Sequence, residues 1–287
     1  MTKRFCRQIG FGKPLLFWGF SLAFGLSRRT SMCSALSSHM LSLLYNQYYF
    51  IFAILPILLF FCGSVMEDDP IIFVFRYESY KHYFTAKWRS LGVLCSGLWL
   101  GQITILFVTG AGLSVIKQGW DNFSGSSLLK DIAPLLVKSF PGAWVAVFCA
   151  AVYMLMGYWL IALLTLWLGH FLQRKKAIKV LLALYILTIL SIKLPIMSRP
   201  PFCYLTGINH WVLLLHNLTA GWRFPLTVIV TLLFVVTVIC SIQGGWRSAA
   251  HHHRISKGLP AYYRHILFSA SNFLVLAISL ALLVGWV

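Results

Sequence analysis

Long apolar stretches separated by short basic segments are the feature that most constrains how this 287-residue chain can fold. A transmembrane helix needs about 20 consecutive apolar residues, within a range of about 17–25. The stretches that reach or approach this length lie at 14–27, 49–66, 91–112, 144–169, 178–194, 225–242 and 266–287. They predict an all-α fold, a polytopic membrane helix bundle of six or seven transmembrane helices forming a single transmembrane domain over 1–287.

Two of these stretches leave the number of spans open. The first, PLLFWGFSLAFGLS at 14–27, is short for a span. It either crosses the membrane or lies in the interface as an amphipathic helix. The last, 266–287, decides whether the bundle has six or seven spans, and so on which side the C-terminus lies.

The composition supports the membrane class and argues against nucleic acid as a partner. Hydrophobic residues make up 59% of the chain and charged residues 10%, against about 25% charged residues in soluble domains. The net charge is +18. The cations lie in clusters between apolar stretches and form no continuous face, which favours anionic lipid headgroups as their partners over nucleic acid.

The distribution of Lys and Arg predicts the orientation. The segments 1–13, 67–90, 170–179 and 243–265 carry four cations each, 16 in all, and the segments on the other side carry the remaining 8 of 24. Cytoplasmic loops are enriched in Lys and Arg. We therefore expect a multi-pass protein of the plasma membrane with a cytoplasmic N-terminus.

Acidic residues are too few and too badly placed for most catalysis. The chain has six, all between the predicted spans: Glu67, Asp68, Asp69, Glu78, Asp121 and Asp131. Proton relays and ion-coupled transport normally use ionisable residues inside the membrane. No Ser, Cys or Lys has a neighbouring His–acid set, and no GxxxxGK[ST] motif occurs. We expect no catalytic residue and no ATPase activity in this chain.

Metal and cofactor sites are not predicted either. The seven cysteines include no CxxC pair and none has a His at ligand spacing. The acids at 67–69 are typical of a span flank or helix start, and the HHH run at 251–253 is typical of a solvated inner loop. The sequence therefore predicts no metal site and no cofactor in this chain.

The segment 195–224 is predicted to be an extracytoplasmic loop with a short helix of its own. Within it, INHWVLLLHNL at 208–218 is apolar but too short to span. It is either a re-entrant or interfacial segment, or a loop helix that caps the bundle.

The inner loop 67–90 combines aromatic and charged residues. Tyr77, Tyr80, Phe84 and Trp88 follow helical spacings of three, four and four, which gives one apolar stripe. This spacing predicts a loop helix on the cytoplasmic surface. It is either an interfacial helix with an aromatic belt or a docking helix for a cytosolic protein, because Tyr, Trp and Arg are enriched at binding hot spots.

This loop resembles the first inner loop of the permease (membrane) subunits of bacterial type-2 ATP-binding-cassette (ABC) exporters, in particular Gram-positive ones. The similarity rests on an acidic junction and on IIFVFRYESYKHYFTAKW at 71–88, which enters the next span. The matching residues are Arg76, Tyr77, Lys81, Tyr83, Lys87 and Trp88. The layout is similar over about residues 10–245. The chain departs from the family in its extra apolar stretch at 266–287 and in lacking a Gly near Glu78.

The resemblance implies a transport subunit without its own motor. It would move an amphipathic or peptide-like cargo, bind a cytosolic ATPase subunit that holds the ATP, and pair with a second permease as a homo- or heterodimer. The implied coupling residues are Arg76, Tyr77, Tyr80, Lys81, Phe84, Lys87 and Trp88.

Two other classes of function remain open. One is a membrane-embedded enzyme acting on lipid or polyprenyl substrates, with Arg199, Arg223, His210 and His216 near the outer face. The other is a stand-alone membrane assembly or immunity protein that binds its partners in the bilayer.

Overall fold

The computed structural model describes residues 9–29, 35–66, 80–115, 133–172, 174–193 and 212–214. The helices in these ranges are α1 Gly12–Arg29, α2 Leu36–Leu44, α3 Gln47–Gly63, α4 Tyr80–Thr109, α5 Ala133–Ser139, α6 Ala143–Phe171 and α7 Arg174–Lys193. No strand occurs in these ranges. One isolated parallel bridge joins Ala35 to Ser114. The predicted all-α class is thus confirmed for the part of the chain that the structure describes.

Some of the described helices have the length and composition of membrane spans. Two of them, α4 over His82–Thr109 and α6 over Ala143–Gly169, are individually long and apolar enough to cross a bilayer. The pair α2 and α3 meets the same criterion together, with a bend of 49° between its members. The described part thus contains two helices able to span a membrane, or three if the bent pair is one span, as expected of a helical membrane protein.

The helix boundaries differ most from the predicted ones in two places. The stretch predicted as a span at 49–66 is the second half of the bent pair, which already begins at Leu36. The stretch predicted at 91–112 begins at Tyr80. The stretches 225–242 and 266–287 lie outside the described residues, so the total of six or seven spans stays a prediction.

The bend between α2 and α3 has a local cause. Asn46 separates the two helices, and its side-chain Oδ1 accepts the backbone N–H of Tyr49 at 2.8 Å, as an N-cap residue does.

Further along α3, a π-helical turn at Phe50–Ile54 comes just before Pro56. Proline has no N–H to donate to the preceding turn, and π turns are one recognised way in which a helix adjusts its hydrogen-bond ladder.

Helix α4 packs against α1 on one side and α6 on another. At each contact a glycine of α4 leaves space for an indole ring of the neighbouring helix, and such a site is called a glycine notch here. A Cβ at Gly101 would collide with the indole of Trp18 from α1, and a Cβ at Gly92 would lie 2.8 Å from the ring of Trp159 from α6. Small residues allow such close approach in membrane helix pairs. The two glycines therefore set how closely α1 and α6 pack on α4.

The indole N–H groups at these contacts are hydrogen-bonded across helices. Trp18 Nε1 donates to the carbonyl of Leu98 at 3.2 Å, and Trp159 Nε1 donates to Ser96 Oγ at 3.0 Å. Trp99 of α4 donates to the carbonyl of Ala151 in α6 at 2.9 Å. An unpaired polar group in an apolar interior is costly, so these bonds make the large indole rings compatible with the core.

Candidate functional site

Four polar side chains, one from each of four helices, form a hydrogen-bonded chain through the bundle interior. They are Ser21 of α1, Tyr49 of α3, Gln102 of α4 and Tyr158 of α6, called here the buried polar network. Tyr49 is 4% exposed, and the other three are fully buried. Polar side chains hydrogen-bond helices together in membrane proteins, so this network is the leading candidate for a site with more than a packing role.

The direction of each hydrogen bond in the network follows from its donors. Tyr158 donates its hydroxyl proton to Gln102 Oε1 at 2.7 Å, and Gln102 Nε2 donates to the Tyr49 hydroxyl oxygen at 3.1 Å. Tyr49 donates in turn to Ser21 Oγ at 2.7 Å, and Ser21 donates to the carbonyl of Phe17 at 2.9 Å. With Gln102 Oε1 toward Tyr158 and Nε2 toward Tyr49, every hydroxyl proton of the network has an acceptor.

Aromatic contacts hold the tyrosines of the network in place. The Tyr49 ring stacks on Phe24 of α1, with ring centroids 4.3 Å apart and an interplanar angle of 4°. The Tyr158 ring meets Phe17 edge to face at 6.2 Å and 83°. Such geometries add to the burial energy of aromatic pairs. Both tyrosines are thus oriented by α1, whose residues Phe17, Ser21 and Phe24 follow one helix face.

A second polar contact between helices involves His39 of α2 and Thr109 of α4. His39 Nε2 lies 3.2 Å from Thr109 Oγ1, and Thr109 itself donates to the carbonyl of Leu106 at 2.9 Å. Because the threonine proton is already used, Thr109 Oγ1 acts as the acceptor here, which favours the tautomer with a proton on His39 Nε2. The contact joins the far end of α4 to the bent helix pair.

The chemistry available in the buried polar network is binding and positioning. Its members supply three hydroxyls and one amide, and none of them is a carboxylate, an amine or an imidazole. Across the described ranges, no three His, Cys, Asp or Glu residues come together as a metal-binding group. Cys62 of α3 and Cys95 of α4 form a buried thiol pair with their Sγ atoms 3.9 Å apart.

The predicted coupling residues lie partly on the first turns of α4. Tyr80 and Lys81 are the first residues of this helix, whereas Arg76 and Tyr77 lie outside the described residues. The Lys87 ammonium lies over the ring of Tyr83, 5.9 Å from its centroid. The segment from Tyr80 onwards continues into the membrane-span part of α4 without a break.

The apolar stripe of this segment contacts the chain's own bundle. Phe84 is 6% exposed and belongs to the hydrophobic core. Trp88 meets Trp159 of α6 edge to face, with centroids 5.6 Å apart, and its Nε1 lies 3.5 Å from the Trp159 carbonyl oxygen. The expected surface helix is therefore the end of a longer core helix here, and Phe84 and Trp88 anchor it against this chain.

Other predicted sites are described only in part. Of the loop 195–224, the structure describes Val212, Leu213 and Leu214, which are 1–2% exposed and belong to the same core as α1 to α6. The residues named for a membrane enzyme, Arg199, Arg223, His210 and His216, lie outside the described residues.

Sequence reasoning did not find the buried polar network. The one available signal was Gln102, an amide in the middle of the apolar stretch 91–112.

No protein-family profile, curated protein or solved structure matches this chain.

Proposed function

We propose that the chain is the transmembrane permease subunit of an ABC exporter, and that it moves an amphipathic or peptide-like cargo with a separate cytosolic ATPase subunit. In this proposal the bundle has six or seven spans, a cytoplasmic N-terminus and a second permease subunit as its partner. The transport pathway lies between the two permease subunits, and ATP binds to the ATPase alone.

The observation that carries the proposal is the unbroken course of α4. At 30 residues, the helix is about 45 Å long, whereas the hydrocarbon core of a bilayer is about 30 Å thick. Its first turns, with Lys81, His82, Lys87 and Arg89, therefore have room to extend beyond the hydrocarbon core. A partner that moves this end moves the whole helix, because a continuous helix is stiff.

The same helix supplies Gln102 to the buried polar network. ATPase closure against the segment 67–90 would move α4, together with α1 and α6, relative to α3. That movement would strain the hydrogen bonds that join Tyr49 of α3 to Gln102 and Ser21, so the network would have to re-form in a second arrangement. Hinge-type switching between discrete packed states is a common transition in proteins that close around ligands.

The burial of Phe84 and Trp88 changes where the ATPase would bind. Because these two side chains contact the chain's own bundle, the proposed ATPase contacts are Arg76, Tyr77, Tyr80, Lys81 and Lys87. Phe84 and Trp88 then hold the segment on the bundle so that a push is transmitted.

Co-purification in a mild detergent tests the proposal. We expect the full-length chain to carry a Walker-motif ATPase, identified by mass spectrometry, whose ATP hydrolysis depends on the bound permease. Arg76→Glu and Lys81→Glu should release the ATPase, because reversed charges disfavour the docked state. Lys175→Glu is the matched control, since Lys175 is an exposed cation at the start of α7, on the side predicted to be cytoplasmic. If no ATPase accompanies the wild-type chain, or if all three variants retain it equally, the proposal fails.

A further inference from the structure

An apolar groove lies between α1 and α3, next to the buried polar network. Its volume is about 440 Å³, within the range of about 300–1,000 Å³ of small-molecule pockets. Phe20 and Phe24 of α1 face Tyr48 and Phe52 of α3 across it. In both helices the two rings are four residues apart, so each pair belongs to one helix face.

The groove opens on the outside of the bundle. Phe20 is 47% exposed, Tyr48 45% and Phe52 54%. In a helical membrane protein, an outward apolar face at membrane depth meets lipid chains or another protein. The small side chains of Ala23 and Ala53 also line this space, which leaves room for a flexible hydrocarbon chain between the rings.

The end of the groove near the C-terminus of α1 is cationic. The Arg28 guanidinium lies 5.4 Å from the centroid of the Phe24 ring that lines the groove. Arg29 follows it, and its Nη2 donates to the carbonyl of Ala111 at 2.6 Å, which holds the Arg29 head beside the end of α4. Guanidinium groups bind phosphate through paired hydrogen bonds. The apolar groove and its cationic end together match an amphiphile with an anionic head.

We propose that this groove binds an anionic phospholipid of the surrounding membrane, with one acyl chain between the four aromatic rings and the phosphate at Arg28 and Arg29. The charge of the chain argues against a second copy as the occupant. Each copy carries 24 Lys and Arg against 6 Asp and Glu, so it would bring mainly further cations to a cationic end. The phosphate of a phospholipid headgroup supplies the required anion at the membrane surface.

The position of the groove links its occupant to the bundle interior. The Tyr49 ring lines the groove and stacks on Phe24, while the Tyr49 hydroxyl belongs to the buried polar network. A bound acyl chain therefore supports the stack that orients the Tyr49 hydroxyl toward Ser21 and Gln102. This inference concerns a lipid site and does not depend on the transport proposal.

Lipid titration of the purified full-length chain tests the site. Delipidated protein in a neutral detergent is titrated with phosphatidylglycerol or phosphatidylcholine of identical acyl chains, and bound lipid is counted by native mass spectrometry. We expect phosphatidylglycerol to bind at least about tenfold more tightly, and Arg28→Gln to remove most of that difference, as for the loss of a charge-assisted hydrogen bond. Arg28→Lys should restore part of it. Lys175→Gln, which changes an exposed cation on α7, should bind as wild type.

A groove-filling variant tests the acyl-chain part of the proposal. Ala53→Trp should weaken the binding of both lipids, and Val145→Trp, at an exposed position of α6, should not. Size-exclusion profiles and melting temperatures show whether each variant folds, and Arg28→Lys keeps the positive charge at that position. Equal binding of the two lipids, or an Arg28→Gln variant with unchanged preference, overturns the proposal. The proposal is also overturned if Ala53→Trp abolishes a dimer of the chain but leaves lipid binding unchanged. The same holds if the purified protein retains a peptide-like amphiphile in place of phospholipid.

Discussion

Replacing Tyr158 by Phe should destabilise the bundle by more than the loss of one surface hydroxyl would. The Tyr158 hydroxyl donates to Gln102 Oε1 at 2.7 Å, and both residues are fully buried. Without that donor, the Gln102 oxygen stays in an apolar interior with no described group positioned to replace it. An unsatisfied buried polar group costs about 1–3 kcal/mol, while interhelical hydrogen bonds in membrane proteins average about 0.6 and reach about 1.7 kcal/mol. We expect a loss of about 1–2 kcal/mol in the free energy of unfolding.

A double-mutant cycle isolates the bond itself. Gln102→Leu removes the acceptor of Tyr158 and the donor to Tyr49 at once, so Tyr158→Phe should add little in that background. The double variant should therefore be more stable than the sum of the two single losses predicts. The expected coupling is about 0.6–1.7 kcal/mol, the range of measured membrane hydrogen bonds.

The assay is reversible unfolding in mixed micelles, followed by circular dichroism as the denaturing detergent increases. Thr165→Val provides the control, because the buried Thr165 hydroxyl donates to Ile161 of its own helix at 2.7 Å and bonds to none of the other described helices. Combined with Gln102→Leu, it should be additive within about 0.3–0.5 kcal/mol. If the stability losses of Tyr158→Phe and Gln102→Leu add as closely as those of the control pair, the hydrogen bond does not couple α6 to α4 and the network argument is wrong.

Two further predictions concern the packing of α4 in the same unfolding assay and in a thiol assay. Gly101→Ala should cost about 1–3 kcal/mol, because its Cβ would collide with Trp18, whereas Gly97→Ala meets nothing within 4 Å and should be neutral or stabilising by up to about 1 kcal/mol. Equal effects of the two changes would contradict the glycine notch. With all other cysteines replaced by alanine, a membrane-permeable thiol oxidant should join Cys62 to Cys95, whose Sγ atoms lie 3.9 Å apart, and lower the intact mass by two hydrogens. Persistent labelling of both thiols by maleimide after oxidation and denaturation would show that α3 and α4 do not pack in this register.

The strength of the apolar signal explains which parts of the fold were predictable. The stretch 144–169 is apolar on every side, and the helix found there, Ala143–Phe171, differs by only one or two residues at each end. The sequence predicts a loop helix within 67–90 and a separate span from 91, whereas α4 is one helix from Tyr80 to Thr109. The cations Lys87 and Arg89 suggested that the span begins after them. Long cationic side chains can bury their stems and extend their heads to the interface, so a helix can continue through them.

The buried polar network was not predictable for a different reason. Hydrophobic periodicity shows that a stretch is helical, but an all-round apolar helix has no pattern that specifies which side faces which neighbour. The meeting of Ser21, Tyr49, Gln102 and Tyr158 depends on the rotation and register of four helices at once. Those are determined by contacts distant in sequence, such as the Gly101 notch against Trp18.

The position of α4 limits how the proposed coupling can work. The helix is joined to α1 through Trp18 and Gly101, and to α6 through Trp99 and Trp159. A push on its first turns could therefore move α4 alone only by breaking indole hydrogen bonds on two sides. Moving α1, α4 and α6 together would preserve those bonds and concentrate the change at α3, which joins them through Tyr49 and contains the π turn at Phe50–Ile54. The proposed switch then depends on α3, where the lipid groove and the network meet, and a lipid bound there would oppose the movement.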